Sequence, residues 1–151
     1  MARSLKSEQQ EELDQLYWEI LIIIGFLHQA GQLTDRLATR YRETLEQVKS
    51  RSDLRGMRIM RKDDNEAIRD LPPAEQQRLK LMLAQRVGTD LDAEQRAELE
   101  RIEELVRADR IETEDDYRLV LGRVEEIYDK PGNADEVGRL NKLLSDFDNA
   151  P

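Results

Sequence analysis

The stretch EILIIIGFLHQAG, residues 19–31, decides the fold, because apolar side chains crowd together there without charged neighbours. Its uninterrupted apolar part, 20–27, is far shorter than the roughly 20 residues that a bilayer-spanning helix needs. Glu19 precedes this part, and His28 and Gln29 follow it. The stretch therefore predicts a protein-enclosed segment, and no membrane is expected among the partners.

The spacing of the apolar residues predicts that this segment is a helix. Apolar residues recur at intervals of three and four along one face of the predicted helix, which is called the seam here. A second apolar stripe lies beside this seam, and a third side of the helix is also apolar. A helix that is apolar on nearly all sides is either central to a domain or half covered by a partner. The seam is Leu13, Leu16, Ile20, Ile23, Leu27 and Ala30, and the second stripe is Tyr17, Leu21, Ile24 and His28. The candidate interaction surface is Trp18, Ile22, Phe26 and His28.

The ends of this first helix are predicted from capping residues. Ser7 and Gln10 have the spacing of a capping box, which places the start near Ser7. Gly31 is suited to end the helix and Thr34 to cap the next one, so a turn between antiparallel helices is favoured. The alternative is one long helix, in which the seam continues through Thr34.

Further caps and breaks predict six or seven helices and no sheet. The expected ranges after the first helix are 35–50, 53–69, 74–87, 92–108, 114–128 and one after Asn133. Pro72 and Pro73 form the strongest boundary, so a single domain, 1–151, could be subdivided as 1–70 and 72–151. The predicted fold is an all-α bundle of antiparallel helical hairpins. Leu37, Tyr41, Leu45 and Val48 are expected to face inward from the second helix, and Leu99 from the fifth.

Composition restricts the chemistry that is available. The 151 residues include no Cys and one His, which excludes disulfides, thiolate chemistry and a His-clustered metal site within one chain. No phosphate-binding glycine loop or serine-nucleophile motif occurs. We therefore expect no catalytic residues, no metal and no cofactor, and the protein is predicted not to be an enzyme. The N-terminus lacks the apolar core of a secretory signal, so a cytoplasmic protein is expected.

Charge is distributed unevenly along the chain. The net charge of −9 argues against broad nucleic-acid or anionic-membrane binding. Residues 90–129 carry 15 acids against 6 Arg, whereas residues 49–62 carry six bases against one acid. The basic segment is the candidate anion or nucleic-acid ridge, and a solvated helix paired to acidic neighbours is the alternative. Its cations at near-helical spacing are Arg51, Arg55, Arg58, Arg61 and Lys62.

The C-terminal region carries a resemblance to a known family. Residues 110–148 combine the opening Ile111, Thr113, Glu114, Asp116 and Tyr117 with a Pro-Gly turn and a Leu-rich helix. This order resembles the helical hairpin that precedes the helix-turn-helix of HigA-type antitoxins, and also the tails of small bacterial helical proteins. The resemblance covers about a quarter of the chain and implies a hairpin that packs against another protein. DNA recognition is not implied, because the helix-turn-helix itself is not in the sequence.

These observations favour an acidic, non-enzymatic helical protein that interacts with another protein or with itself. An antitoxin-like or immunity-like role and a homo-oligomer are expected. The competing hypothesis is a regulator that binds nucleic acid or phosphate through residues 49–62.

Overall fold

The computed structural model describes residues 5–151, and in this range the protein is all-α, with seven helices and no strand. The helices are α1 (Ser7–Gln29), α2 (Asp35–Ser50), α3 (Leu54–Arg69), α4 (Pro73–Val87), α5 (Leu91–Ala108), α6 (Glu114–Ile127) and α7 (Ala134–Asp148). The predicted all-α class is confirmed, and the predicted bounds of α2 match those observed.

The chain forms two compact units, Met1–Leu91 and Asp92–Pro151. The division lies at Leu91 and Asp92 rather than near Pro72, where the sequence analysis placed a subdivision. The reason is that α4 buries Leu79 and Leu83 in a core that it shares with α1, so α4 belongs to the first unit.

Helix α1 is the central element of the first unit. One face packs with α2 and α3 around Leu13, Ile20 and Met57. A neighbouring face packs with α4 around Ile23 and Leu83. Ile20 and Ile23 are fully buried, which confirms that the isoleucine-rich segment is enclosed by protein.

The predicted turn after α1 is confirmed. Gly31 has a φ of 79°, in the left-handed region that glycine adopts without steric cost. The Thr34 hydroxyl accepts a hydrogen bond of 3.2 Å from the Leu37 backbone N–H, so a new helix begins there. At the other end of α1 the cap differs from the prediction by one residue. Lys6 is the N-cap, and its N–H donates to the Gln9 side chain at 3.1 Å.

Three side chains predicted to face inward are exposed, namely Leu37 and Tyr41 on α2 and Leu99 on α5. On α2 the buried residues are Ala38 and Leu45, seven positions apart on one face. The small Ala38 side chain is fully buried, which turns Leu37 and Tyr41 towards solvent. Leu45, from the predicted stripe, is fully buried in the core shared with α1, so the prediction is confirmed there and is wrong at Leu37 and Tyr41.

The second unit has its own core, to which α5, α6 and α7 contribute Ile102, Val120 and Leu140. Thr113 caps α6, as predicted, by accepting a hydrogen bond of 3.1 Å from the Asp116 N–H. Tyr117 packs on Phe147 with ring centroids 5.1 Å apart, so the predicted hairpin of α6 and α7 is formed.

Candidate functional site

An open apolar groove of about 590 Å³ lies between α1 and α4 in the first unit. Three of the four residues predicted as an interaction surface, Trp18, Ile22 and Phe26, line it together. Trp18 is 52% exposed although it is the largest side chain of α1. The remaining lining residues are Leu21, Gly25, Gln29, Met82, Arg86 and Val87.

The two helices that form the groove are antiparallel. Gln15, early in α1, donates from its side-chain amide to the Val87 carbonyl at the end of α4, at 2.9 Å. Phe26, late in α1, lies under the guanidinium of Arg78, which is 5.8 Å from the ring centroid. Arg86 therefore lies towards the Trp18 end of the groove and Arg78 towards the Phe26 end.

Trp18 is supported from behind by its neighbour on the helix. The Tyr17 and Trp18 rings meet edge to face, with centroids 5.3 Å apart and planes at 77°. Lys49 covers the Tyr17 ring at 4.0 Å, and the Tyr17 hydroxyl bonds to the Glu46 carboxylate. This hydrogen bond raises the pKa of Tyr17 above its usual value. The exposed Trp18 indole therefore packs against a Tyr17 ring that is itself held in place by contacts with α2.

Gly25 leaves a gap in the α1 side of the groove. No atom lies within 4 Å of the place where a Cβ would stand at this residue, apart from its immediate surroundings in the helix. Glycine in a helix interior destabilises by roughly 0.5–1 kcal/mol relative to alanine. Neither backbone conformation nor internal packing therefore requires glycine at this position.

His28, the fourth predicted surface residue, does not line the groove. It is half buried and its Nε2 lies 2.5 Å from Asp35 Oδ1, across the turn between α1 and α2. The four residues therefore do not form one surface, because position 28 lies on the side of α1 that faces α2. His28 is thus half buried and bonded to a carboxylate at the start of α2.

The predicted basic ridge is not continuous. Arg51 lies beyond the end of α2 and before α3 begins, so it is not in helical register with the others. Arg61 is buried, because α3 turns it towards α1 rather than towards solvent. Arg55 and Lys62 are exposed.

Arg58 is held by an acid of α1. Its Nε and Nη2 donate to the two carboxylate oxygens of Glu12, at 2.5 and 2.8 Å. This hydrogen bonding lowers the pKa of Glu12. The contact matches the alternative in which the basic segment pairs with acidic neighbours.

A buried polar cluster joins α1, α3 and the segment after α4, and the sequence analysis missed it. Glu19 and Arg61 are 5% and 6% exposed, and Arg61 Nε is 3.7 Å from Glu19 Oε2. The Thr89 hydroxyl donates to Glu19 Oε1 at 2.8 Å and accepts from the Gln15 amide at 3.1 Å. One feature of the sequence indicated that Glu19 is buried. Glu19 lies three residues after Leu16 and four before Ile23, so it shares their apolar face of α1 and does not lie on a polar face.

Asp64 follows Arg61 by about one turn of α3 and lies next to this cluster. Its Oδ2 is buried and accepts no hydrogen bond from the residues that are described. Burial raises the pKa of this carboxyl to about 7, although Arg61 opposes the shift. Asp64 does not line the groove. Among the residues that the structure describes, the charged lining residue is Arg86, and Gln29 also contributes a polar side chain. This lining can bind apolar groups, and from residue 5 onwards it includes no carboxylate, histidine or hydroxyl side chain.

No metal site is evident from residue 5 onwards, since no three His, Asp or Glu side chains there are grouped as ligands. Across the same residues, no helix combines the length and apolar character needed to cross a membrane. No family model, curated protein or solved structure matches the chain.

Proposed function

We propose that this protein is a non-enzymatic, cytoplasmic protein–protein interaction module that docks its partner in the groove between α1 and α4. The observation that carries the proposal is the half-exposed Trp18 beside the unfilled space at Gly25. Exposed aromatic side chains on a preformed apolar surface are enriched where proteins bind each other. The HigA-like hairpin of the second unit supports a role of the antitoxin or immunity type.

The groove is suited to a helix of the partner. Two antiparallel helices form its walls, and a helical ligand presents apolar residues at intervals of three and four to such a groove. Glycine permits another backbone to approach closely, so Gly25 marks the place where the partner helix would lie nearest to α1. Gln29 and Arg86 would provide hydrogen bonds at the polar edges.

Site-specific photo-crosslinking tests this function. A benzophenone amino acid replaces Ile22 in the groove or, as the control, the exposed Arg40 on α2. We expect the Ile22 position to give one crosslinked species of defined mass in cells of the source organism, and again with purified protein and the partner that this mass identifies. Filling the gap with Gly25→Trp should abolish that species. Equal crosslinking from both positions, or none from Ile22, would contradict the proposal.

The regulator hypothesis based on residues 49–62 has less support. Arg61 is buried and Arg58 is bound by Glu12, so fewer cations than predicted face solvent together. Affinity for nucleic acid depends on the number of phosphates that are neutralised. The regulator hypothesis would be favoured if heparin retained the protein in a salt-sensitive manner and did not retain an Arg55→Glu/Lys62→Glu variant.

A further inference from the structure

We infer that the occupant of the groove is a second copy of this chain, bound about a two-fold axis that passes between Leu21 and Ile22 of α1. This inference rests on the proposed function, because it takes the groove to be a docking surface. It names the partner and the register of the contact.

The spacing of Trp18 and Gly25 supports a second copy as the occupant. They are seven residues apart, which is about two turns of helix, so both face the groove with a separation along the axis of roughly 10 Å. One is a protruding indole and the other is an empty position. A two-fold axis through the midpoint of this pair would place each Trp18 over Gly25 of the other copy.

The neighbouring positions agree with this register. Antiparallel α1 helices centred between residues 21 and 22 bring Leu21 of one copy against Ile22 of the other. In the same register Asp14 lies opposite Gln29 of the second copy, so the amide of Gln29 can donate to the carboxylate of Asp14. Both positions are exposed in the single chain. In an isologous interface every contact between different residues occurs twice, so the dimer would contain two copies of each of these pairs.

Helix α4 completes the interface. Met82 and Val87 form the second wall against which the incoming α1 would pack, and Arg86 lines the same groove. Because α4 lines the groove of both copies, the contact consists of four helices, α4 and α1 from each chain. Pairs of antiparallel helices pack in this way in four-helix bundles.

Charge also favours a second copy at this surface. Residues 1–91 hold 15 Lys and Arg and 15 Asp and Glu, so the first unit is neutral. Residues 92–151 hold 9 bases and 18 acids, which is the whole net charge of −9. The surfaces that meet in the proposed contact therefore belong to units without net charge, so these units themselves do not repel each other.

The experiment measures the mass of the full chain in solution by sedimentation velocity or light scattering. The monomer mass is 17.7 kDa, and we expect wild type to sediment at twice this mass at micromolar concentration. Gly25→Leu fills the space that the second indole needs, and Trp18→Ala removes the indole. Each substitution should raise the dissociation constant of the dimer by at least about tenfold, which is typical when a central aromatic contact is lost.

Gly138→Leu is the matched control. Gly138 also lies within a helix, α7, with no atom within 4 Å of its Cβ position, but it is far from residue 25 in sequence and belongs to the second unit. This variant should remain a dimer. Helical content measured by circular dichroism confirms that each variant is folded. Should a variant fail to fold, the cysteine experiment below decides the register.

A single cysteine reports the position of the axis. The chain has no Cys, so Ile22→Cys introduces the sole thiol, and residues close to a two-fold axis can form a disulfide with themselves. We expect oxidation to give covalent dimers of Ile22→Cys and not of Arg40→Cys.

A monomeric wild type, or a dimer that Gly25→Leu leaves intact, would overturn the inference. If Ile22 instead photo-crosslinks to a different protein and Gly25→Trp prevents it, the docking function stands and the second-copy inference fails. If Ile22 crosslinks to nothing, both fail.

Discussion

At the scale of single residues, the first unit contains a buried pair of opposite charges that joins two helices. Arg61 of α3 meets Glu19 of α1, and both are almost fully enclosed. Periodicity could predict the isoleucines beside Glu19, because helix spacing alone reveals a buried face. It could not predict the pair, since Glu19 and Arg61 are 42 positions apart and only tertiary packing brings them together.

Removing one member of this pair should be costly. Glu19→Ala leaves Arg61 buried without its carboxylate and takes the acceptor from Thr89, so we expect a loss of about 3–5 kcal/mol in the free energy of unfolding. The double variant Glu19→Leu/Arg61→Met should recover most of this loss, because neither member of the pair is then left buried without the other. Urea denaturation, monitored by Trp18 fluorescence, measures the free energy of unfolding of the single and the double variant. A surface control, Glu12→Gln, should change stability little, and an equal loss in all three variants would contradict the assignment.

The carboxyl of Asp64 predicts an unusual dependence of stability on pH. Its pKa in the folded protein is about 7 and its ordinary value is 3.8, so between these values the folded state holds a proton that the unfolded state has released. Stability from this group is therefore present at low pH and is lost as pH rises towards 7, with a slope of up to about 1.4 kcal/mol per pH unit. Asp64→Asn should lack this slope.

The measurement for Asp64 is the difference in unfolding free energy between Asp64→Asn and wild type from pH 4 to pH 8. We expect the difference to move in favour of the variant as pH rises and to level off above pH 7. A difference that stays constant with pH would show that Asp64 titrates normally.

At the scale of elements, most helix boundaries followed from local sequence. Gly31, Thr34 and Thr113 act through their own backbone or hydroxyl within a few residues, so their effect is readable without the fold. The orientation of α2 was wrong at Leu37 and Tyr41, because the face that meets α1 is chosen by the fit around Ala38. Trp18, Ile22 and Phe26, which line the groove, were grouped from the sequence because they share a stripe, but the groove and its α4 wall were not predicted.

The turn between α1 and α2 gives a test at this scale. Gly31→Ala forces a Cβ into the left-handed region and should destabilise the first unit by roughly 1–2 kcal/mol. Gln32→Ala, at the adjacent exposed position, should have an effect within about 0.5 kcal/mol. Thermal unfolding monitored by Trp18 fluorescence compares the two. Equal stability of both variants would argue that α1 and α2 join in another conformation.

At the scale of the whole molecule, charge and structure divide at the same place. The boundary at Leu91 and Asp92 separates a neutral unit from one that carries the whole net charge. The acidic block was visible in the sequence, but its coincidence with a structural unit was not, because the Pro72 boundary suggested a different division. Self-repulsion of like charges destabilises a compact state and is screened by salt.

Salt should therefore stabilise the two units unequally. Raising NaCl from about 20 to about 500 mM shortens the screening length several-fold and should raise the urea midpoint of the second unit more than that of the first. Trp18, the sole tryptophan, reports on the first unit, and hydrogen exchange of α6 and α7 amides reports on the second. Parallel shifts of both signals would show that charge does not distinguish them.

The position of Thr89 has a practical consequence for anyone who shortens this protein. Gly88 reads as the natural place to end an N-terminal fragment, because it terminates α4 in the left-handed conformation. A fragment cut there would discard the hydroxyl that donates to Glu19 and one of the two acceptors of the Gln15 amide. The shortest autonomous N-terminal piece should therefore extend through Leu91, and clones that stop three residues earlier are expected to be prone to proteolysis.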